Sequence, residues 1–127
     1  MNKILVKERF SEKVYKLVVE APLIARARKA GNFVIIRTDQ EGERIPLTIA
    51  TADKEKGTIP LVVQAVGYST IKLCNMNVGD SLADIVGPLG KPTDIQNFGT
   101  VVCAGGGVGV APMLPIVEAL KKAGNKV

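Results

Sequence analysis

The sequence of 127 residues contains no histidine, no tryptophan and only two cysteines, Cys74 and Cys103. Metal sites usually combine several cysteines or histidines at short spacings, and neither cysteine has such a neighbour. We therefore predict no metal site, and we expect both thiols to be free and buried. No acid–base pair or activated nucleophile stands out in the sequence.

Aromatic residues make up only 4% of the chain, and the net charge of +5 comes from basic residues scattered among acidic ones. Nucleic-acid binding favours a clustered basic face and aromatic side chains that stack on bases. We therefore expect no nucleic-acid partner. An oligonucleotide-binding barrel stays open as a minor alternative.

Long apolar segments are also absent. No run approaches the length that spans a bilayer, and the first residues lack the pattern of a signal peptide. These absences predict a cytoplasmic protein with no membrane partner. Hydrophobic residues nevertheless make up 46% of the chain, which suits a globular domain with a core.

Segments rich in valine and isoleucine alternate with turns and predict a mainly β fold. Six strands are predicted, at residues 3–10, 14–20, 32–37, 44–52, 58–66 and 81–86. The polar connectors 39–43 and 53–57 contain glycine and have hairpin length, which favours antiparallel neighbours. Together these segments predict a closed, six-stranded antiparallel barrel.

One short helix is predicted at residues 68–75, across an end of the barrel. Ser69 or Thr70 is its candidate N-cap, and Ile71 and Leu73 are its candidate buried residues. The segment 87–92 is rich in glycine and proline and predicts a rigid, extended exit from the barrel.

The most informative segment is 101–112, which predicts a buried strand at 101–104, a glycine turn and a helix that begins near Pro112. The turn contains four glycines, Gly105, Gly106, Gly107 and Gly109. Glycines let backbone N–H groups approach an anion closely, so the pattern indicates a phosphate site for a dinucleotide. The alternative is a tight turn that needs glycine only for its shape.

The helix after this turn is expected to end on Gly124, and Lys126 and Val127 look like the start of another strand. We therefore predict two parts: a barrel at 1–97, and at 98–127 the first β-α unit of an incomplete α/β nucleotide-binding domain, truncated at the C-terminus. The uncovered apolar surface of such a unit favours a homodimer of the truncated chain.

Five motifs follow one another along the chain: GNFV at 31–34, RIPLTI at 44–49, VGYST at 66–70, GPLG at 87–90 and the glycine turn at 105–109. In this order they resemble the ferredoxin reductase superfamily, in which a six-stranded Greek-key FAD-binding barrel precedes a nucleotide-binding α/β domain. The segment 43–50 is most similar to electron-transfer subunits related to dihydroorotate dehydrogenase. It also resembles the flavoprotein subunit of sulfide dehydrogenases, which are described as NADH-dependent ferredoxin–NADP oxidoreductases too.

The resemblance implies FAD in the barrel and NAD(P)H on the α/β domain of the full-length protein. It also implies a 2Fe-2S cluster on cysteines beyond the end of this chain, and a larger oxidoreductase subunit or ferredoxin as partner. The implied function is that of an FAD-binding electron-transfer subunit of an NAD(P)H-dependent oxidoreductase, with little turnover by this chain alone. The alternative from another class is a non-enzymatic β-barrel that binds a protein partner.

The resemblance also assigns roles within the segment 44–48. Thr48 takes the place of a serine whose hydroxyl meets the redox edge of the flavin, which makes it the candidate catalytic residue. Leu47 takes the aromatic position beside the ring, and Pro46 precedes it. Ile45 occupies the position of the family's pyrophosphate-binding arginine. Arg44 can therefore contact the pyrophosphate only if a bulge or a strand end redirects its side chain. Otherwise Arg44 is a solvated surface residue.

The remaining candidates are expected to contact the cofactors at their phosphates or adenine. Gly67, Ser69 and Thr70 resemble a site where a helix start meets the FAD diphosphate, although helix capping explains them as well. Gln64 and Val66 are candidates for the adenine side. Gly87 either lets the chain pass close to the flavin or to an incoming nicotinamide, or it belongs to a linker between the two parts of the chain. The four glycines of the turn at 105–109 are assigned to the pyrophosphate of NAD(P)H.

Overall fold

The computed structural model describes residues 2–127 and contains six strands and three α-helices. The strands are β1 (Ile4–Arg9), β2 (Val14–Glu20), β3 (Phe33–Arg37), β4 (Arg44–Thr48), β5 (Thr58–Gln64) and β6 (Asp84–Leu89). The helices are α1 (Pro22–Ala27), α2 (Tyr68–Cys74) and α3 (Val110–Lys122), and a 3-10 turn at Gly107–Gly109 precedes α3. All six predicted strands are therefore confirmed, although β4 is shorter than predicted and β6 begins later.

The strands form two antiparallel sheets of three strands each, in the orders β1-β2-β5 and β4-β3-β6. Single bridges join the sheets at two seams, between Ile49 and Leu61 and between Lys3 and Ser81. The order around the fold is thus β1-β2-β5-β4-β3-β6. The predicted mainly β, antiparallel fold is confirmed; within residues 2–127 the ladders are continuous inside each sheet, and single bridges join the sheets at these two seams.

The core lies between the two sheets and follows the two-residue alternation of the strands. One face of each strand supplies its buried side chains: Ile4 from β1, Leu17 and Val19 from β2, Val34 and Ile36 from β3, and Ile59, Leu61 and Val63 from β5. Each such side chain contributes about 1.5–3 kcal/mol when it leaves water. The opposite faces of the strands are thereby left for other contacts.

Helix α1 is an element that the sequence analysis missed. Pro22 stands in its first turn, and Ile24 and Ala25 are buried against the core. A helix of six residues is not stable by itself, so packing rather than propensity forms it. The proline followed by two apolar residues was the signal that could have revealed it.

Helix α2 confirms the predicted short helix, but its cap differs from the prediction. Gly67 is the N-cap, and the Thr70 hydroxyl accepts hydrogen bonds from the backbone N–H groups of Gly67 at 2.9 Å and Val66 at 3.1 Å. Leu73 is buried as predicted, whereas Ile71 is 46% exposed. A threonine at the third helical position can reach back to the cap, which explains the two-residue displacement.

The predicted buried strand at 101–104 is wrong: these residues form no strand, and Val102 is 89% exposed. A parallel strand needs a neighbour along its length, and pairing here is limited to one bridge between Thr100 and Lys126. Helix α3 begins at Val110, so Pro112 lies within its first turn rather than at its first position. Gly124 follows the helix with φ of +97°, as expected for a glycine cap.

The two cysteines are both free and differ in burial. Cys74 is buried within the core, and this burial raises the pKa of its thiol. Cys103 is only partly buried, contrary to expectation, because the segment around it is not covered by a sheet. No helix among residues 2–127 is long and apolar enough to cross a membrane. The same residues contain no group of three or more side chains suited to hold a metal ion.

A buried asparagine fixes the last part of the chain. The Asn125 side-chain amide donates to the carbonyl oxygens of Gln96 at 2.7 Å and Leu120 at 2.9 Å. Its Oδ1 accepts from the backbone N–H groups of Phe98 at 2.6 Å and Gly99 at 3.0 Å. One side chain therefore ties the end of α3 to the segment that leaves the barrel.

We expect Asn125→Ala to release α3 from that segment, because four backbone groups each lose a hydrogen bond and a buried group left without a partner costs about 1–3 kcal/mol. Amide hydrogen exchange should accelerate in α3 and stay unchanged in β2 and β5. Asn97→Ala is the matched control, since Asn97 accepts one exposed hydrogen bond, from Gly99. Equal protection of α3 in both variants would contradict the assignment.

Candidate functional site

The register between β3 and β4 decides which side chains of β4 face outward. Leu47 pairs with Val34 and Ile45 with Ile36, and these side chains pack on the core. Side chains alternate along a strand, so Arg44, Pro46 and Thr48 share the opposite, outer face. The pairing runs without a bulge, and Arg44 therefore faces the same side as Thr48 with no redirection. Leu47, by contrast, lies on the other face from Thr48.

Arg44 belongs to a row of charged residues that crosses three strands on this outer face. It pairs with Arg37 of β3, and Arg37 pairs with Asp84 of β6. The Asp84 Oδ2 atom lies 3.0 Å from the Arg44 Nη1 atom and 3.5 Å from the Arg37 Nη2 atom. We call Arg37, Arg44 and Asp84 the charged row. One carboxylate thus faces two guanidinium groups.

The hairpin between β3 and β4 holds α2 beside the charged row. The Ser69 hydroxyl donates to Glu43 Oε1 at 2.6 Å, and Lys72 Nζ lies 2.6 Å from Asp39 Oδ2. The hydrogen bond from Lys72 lowers the pKa of the Asp39 carboxyl, and Asp39 in turn raises the pKa of Lys72. The start of α2 therefore lies next to the residue that precedes Arg44.

Three of the predicted phosphate contacts lie at this start of α2, where the two hydroxyls and the Gly67 N–H already have protein partners. Thr70 accepts from the backbone of Gly67, and Ser69 donates to Glu43. Capping accounts for Thr70, while Ser69 serves as a tie to the hairpin rather than as a cap. Val66, just before the helix, is largely exposed.

A cleft of about 640 Å³ lies between the outer face of the barrel and the start of α3. Its barrel side comes from β2, β5 and their neighbours: Phe10, Ser11, Val14, Lys16, Ala50, Thr51, Pro60, Val62 and Gln64. Its other side comes from the glycine turn and α3: Gly107, Val108, Val110, Ala111 and Leu114. The size falls within the range of small-molecule sites, and the lining is mostly apolar.

The structure joins this cleft to the outer face of β4. Ala50 follows Thr48 by two residues, lines the cleft, and donates its N–H to the Pro60 carbonyl oxygen at 3.1 Å. Arg44 and Ala50 are six positions apart, which corresponds to about 20 Å of extended chain. The outer face of β4 that carries Arg44 and Thr48 is therefore followed, two residues further along the chain, by a residue of the cleft.

The glycine turn leaves its backbone open, and Gly107 lines this cleft. A Cβ atom built at Gly106, Gly107 or Gly109 would meet nothing within 4 Å. Gly107 needs glycine for its φ of +58°, but Gly109 has φ of −64° and ψ of −15°, which any residue adopts. Neither crowding nor backbone geometry within the chain explains Gly109, which favours approach by a ligand. At Gly105 the neighbour is Met113, whose flexible side chain fills the space.

Gly87 has an explanation inside the barrel. A Cβ atom there would lie 2.8 Å from Val34 Cγ1 and 3.2 Å from the Phe33 carbonyl oxygen. Close packing of β6 on β3 therefore requires glycine, whatever else approaches it.

Sequence reasoning missed Arg37 and Asp84, which lie beside Arg44 in the structure. The alternation of Phe33, Ile35 and Arg37 opposite β4 was the signal that could have found Arg37. Asp84 lies far along the chain, and only the sheet order reveals its place beside Arg37.

No protein-family model matches the sequence. The dihydroorotate dehydrogenase B (NAD(+)) electron transfer subunit homolog of Thermotoga maritima is 42% identical over 127 residues, which cover all of this chain and 45% of that protein. The chain spans about half the length of the curated relatives that it matches.

Two solved structures show the same fold. The NADH-dependent reduced ferredoxin-NADP oxidoreductase structure matches with a TM-score of 0.97 and 43% identity, over 98% of this chain and 45% of that one. Phthalate dioxygenase reductase matches with a TM-score of 0.79 over 98% of this chain and 40% of its own, and at 21% identity this likeness concerns the fold alone. The chain belongs to the ferredoxin reductase superfamily and is a homologue of the dihydroorotate dehydrogenase electron-transfer subunits.

Proposed function

We propose that this chain forms the FAD-binding part of an NAD(P)H-dependent oxidoreductase subunit that passes electrons to a partner protein. The observation that carries the proposal is the common outer face of β4, which carries Arg44 and Thr48 and is followed at Ala50 by the mostly apolar cleft. Along the chain, a cation, a hydroxyl and an apolar wall come in this order. An extended dinucleotide with a diphosphate and an aromatic ring needs these three features in this order.

The residues present fit FAD. Arg44 would hold the diphosphate, since a guanidinium group donates several hydrogen bonds to phosphate oxygens. Thr48 and Pro46 would face the ring, and the hydroxyl of Thr48 can donate or accept as the ring nitrogen changes its protonation. Bound FAD would supply the exchange between a hydride donor and one-electron acceptors.

The glycine turn would meet the pyrophosphate of NAD(P)H. Its open backbone at Gly106 and Gly109 supports this role, as does its position across the cleft from Val62 and Gln64. The positive end of the α3 helix dipole also lies at this turn, which favours an anion there. A nicotinamide that enters from this side would reach the cleft at Ala50, two residues beyond Thr48.

The partner and a 2Fe-2S cluster belong to the proposal for the whole protein. The relatives' names support a partner: one is called an electron transfer subunit homolog and another a ferredoxin-NADP oxidoreductase. We infer that electrons leave the flavin singly toward a larger subunit or ferredoxin.

The visible absorption spectrum tests the proposal directly. We expect the purified chain, mixed with FAD and passed through a gel-filtration column, to retain flavin absorbance. A protein that retains neither FAD nor riboflavin would instead favour a non-enzymatic module that binds a protein partner.

We expect Thr48→Val to change the absorption bands and the midpoint potential of bound FAD, because the variant keeps the side-chain shape and removes one hydrogen bond, worth about 1 kcal/mol. Thr48→Ser is the control and should restore both, since it keeps the hydroxyl. Spectroelectrochemical titration measures the two quantities. Identical titrations for all three proteins would remove Thr48 from the contacts of the ring.

We expect Arg44→Gln to weaken FAD binding roughly tenfold, because a charge-assisted hydrogen bond to the diphosphate is lost. FMN should lose less affinity and riboflavin none, as measured by fluorescence titration. Arg26→Gln removes the same charge from an exposed position on helix α1 and serves as control. A uniform loss for all three flavins would show that Arg44 acts on the fold rather than on the diphosphate.

A further inference from the structure

The charged row holds one more cation than its own carboxylate can satisfy. Arg37 and Arg44 are direct neighbours on adjacent strands, and both approach the same oxygen of Asp84. Like charges at such paired positions destabilise a sheet unless an anion lies between them. With one carboxylate and two guanidinium groups, the row keeps a net charge of +1.

Arg37 also has hydrogen-bonding capacity to spare. Its Nε atom is buried and has no partner among the described residues, and its side chain is only 21% exposed. Its Nη2 atom makes two long contacts, at 3.3 Å to Gln40 Oε1 and at 3.5 Å to Asp84. Buried donors are nearly always satisfied in native proteins, so this group lacks an acceptor.

Arg44 differs from Arg37 in its freedom to move. Its side chain is 52% exposed, and it donates to a single Asp84 oxygen at 3.0 Å. A diphosphate offers more acceptor oxygens and more negative charge than one carboxylate oxygen does. A diphosphate can therefore replace Asp84 as the partner of Arg44. Arg37 Nε is buried here, so the Arg37 side chain has to shift before that atom contacts a ligand.

We propose that Arg37 is a second diphosphate-binding residue and that Asp84 occupies the place of the phosphate until a dinucleotide binds. The inference rests on the proposed function, which assigns the diphosphate of FAD to Arg44. It adds that the ligand competes with Asp84 for Arg44 and supplies the acceptor that Arg37 Nε lacks. Affinity for the diphosphate is then set by this competition as well as by the arginines.

Inorganic pyrophosphate and riboflavin probe the two halves of the site separately. We expect pyrophosphate to shift the Arg37 and Arg44 Nε–H signals in a nitrogen–proton correlation spectrum of the whole chain, and riboflavin to leave both in place. Arg37→Gln should weaken FAD and pyrophosphate binding roughly tenfold and leave riboflavin affinity unchanged. Arg26→Gln should change nothing.

Asp84→Asn is the decisive variant because a purely structural role of Asp84 predicts the opposite sign. Removal of the competing charge should strengthen FAD and pyrophosphate binding several-fold and leave riboflavin affinity unchanged. Weaker FAD binding by Asp84→Asn, or an Arg37 Nε–H signal that pyrophosphate does not move, would overturn the inference. Arg37→Lys, which keeps the charge, shows whether any loss in Arg37→Gln comes from misfolding.

The same measurements separate the two proposals. Riboflavin binding without any response of the row to pyrophosphate would leave the flavin site standing and reject the role of Arg37 and Asp84. A response to pyrophosphate without riboflavin binding would keep the anion site and reject the flavin function.

Discussion

The regular register between β3 and β4 is the constraint on which the site depends. Because side chains alternate, pairing Val34 with Leu47 sends Leu47 and Ile45 inward and turns Arg44, Pro46 and Thr48 outward. A slip of one residue would exchange these two sets and bury an arginine in the core. The apolar requirement of the core thus determines where the polar residues of the site point.

Two buried asparagines fix how the second part of the chain meets the barrel. Asn32 donates to the carbonyl oxygens of Leu89 and Gly90, where the chain leaves β6, and it accepts from the Lys29 N–H. Asn125 makes the corresponding ties at the end of α3. The segment between these anchors sets the position of the glycine turn above the cleft. Hydrogen bonds from buried polar side chains therefore fix the position of this segment, which apolar packing alone would define less sharply.

Some elements were predictable because their own sequence carries a signal, either a strand pattern or a glycine cap. The alternation in β2, the apolar run of β5 and the glycine after α3 each carry their own signal, and all three were found where expected. The segment 101–104 has the composition of a buried strand but lacks a partner along its length, and composition cannot report a missing neighbour. The candidates Thr48 and Arg44 were identified through the family resemblance, whereas only the register of β4 shows that they share one face. Arg37 and Asp84 needed the sheet order, since they are far apart in sequence.

The start of α3 is positioned from the other end of the helix. The Asn125 side chain donates to the Leu120 carbonyl oxygen in the last turn, and Thr51 donates to Glu118 at 3.3 Å. From the last turn to the glycine turn the 13 residues of α3 span about 20 Å. Hydrogen bonds near the far end of the helix therefore help to set the position of the cleft wall that Val110, Ala111 and Leu114 form.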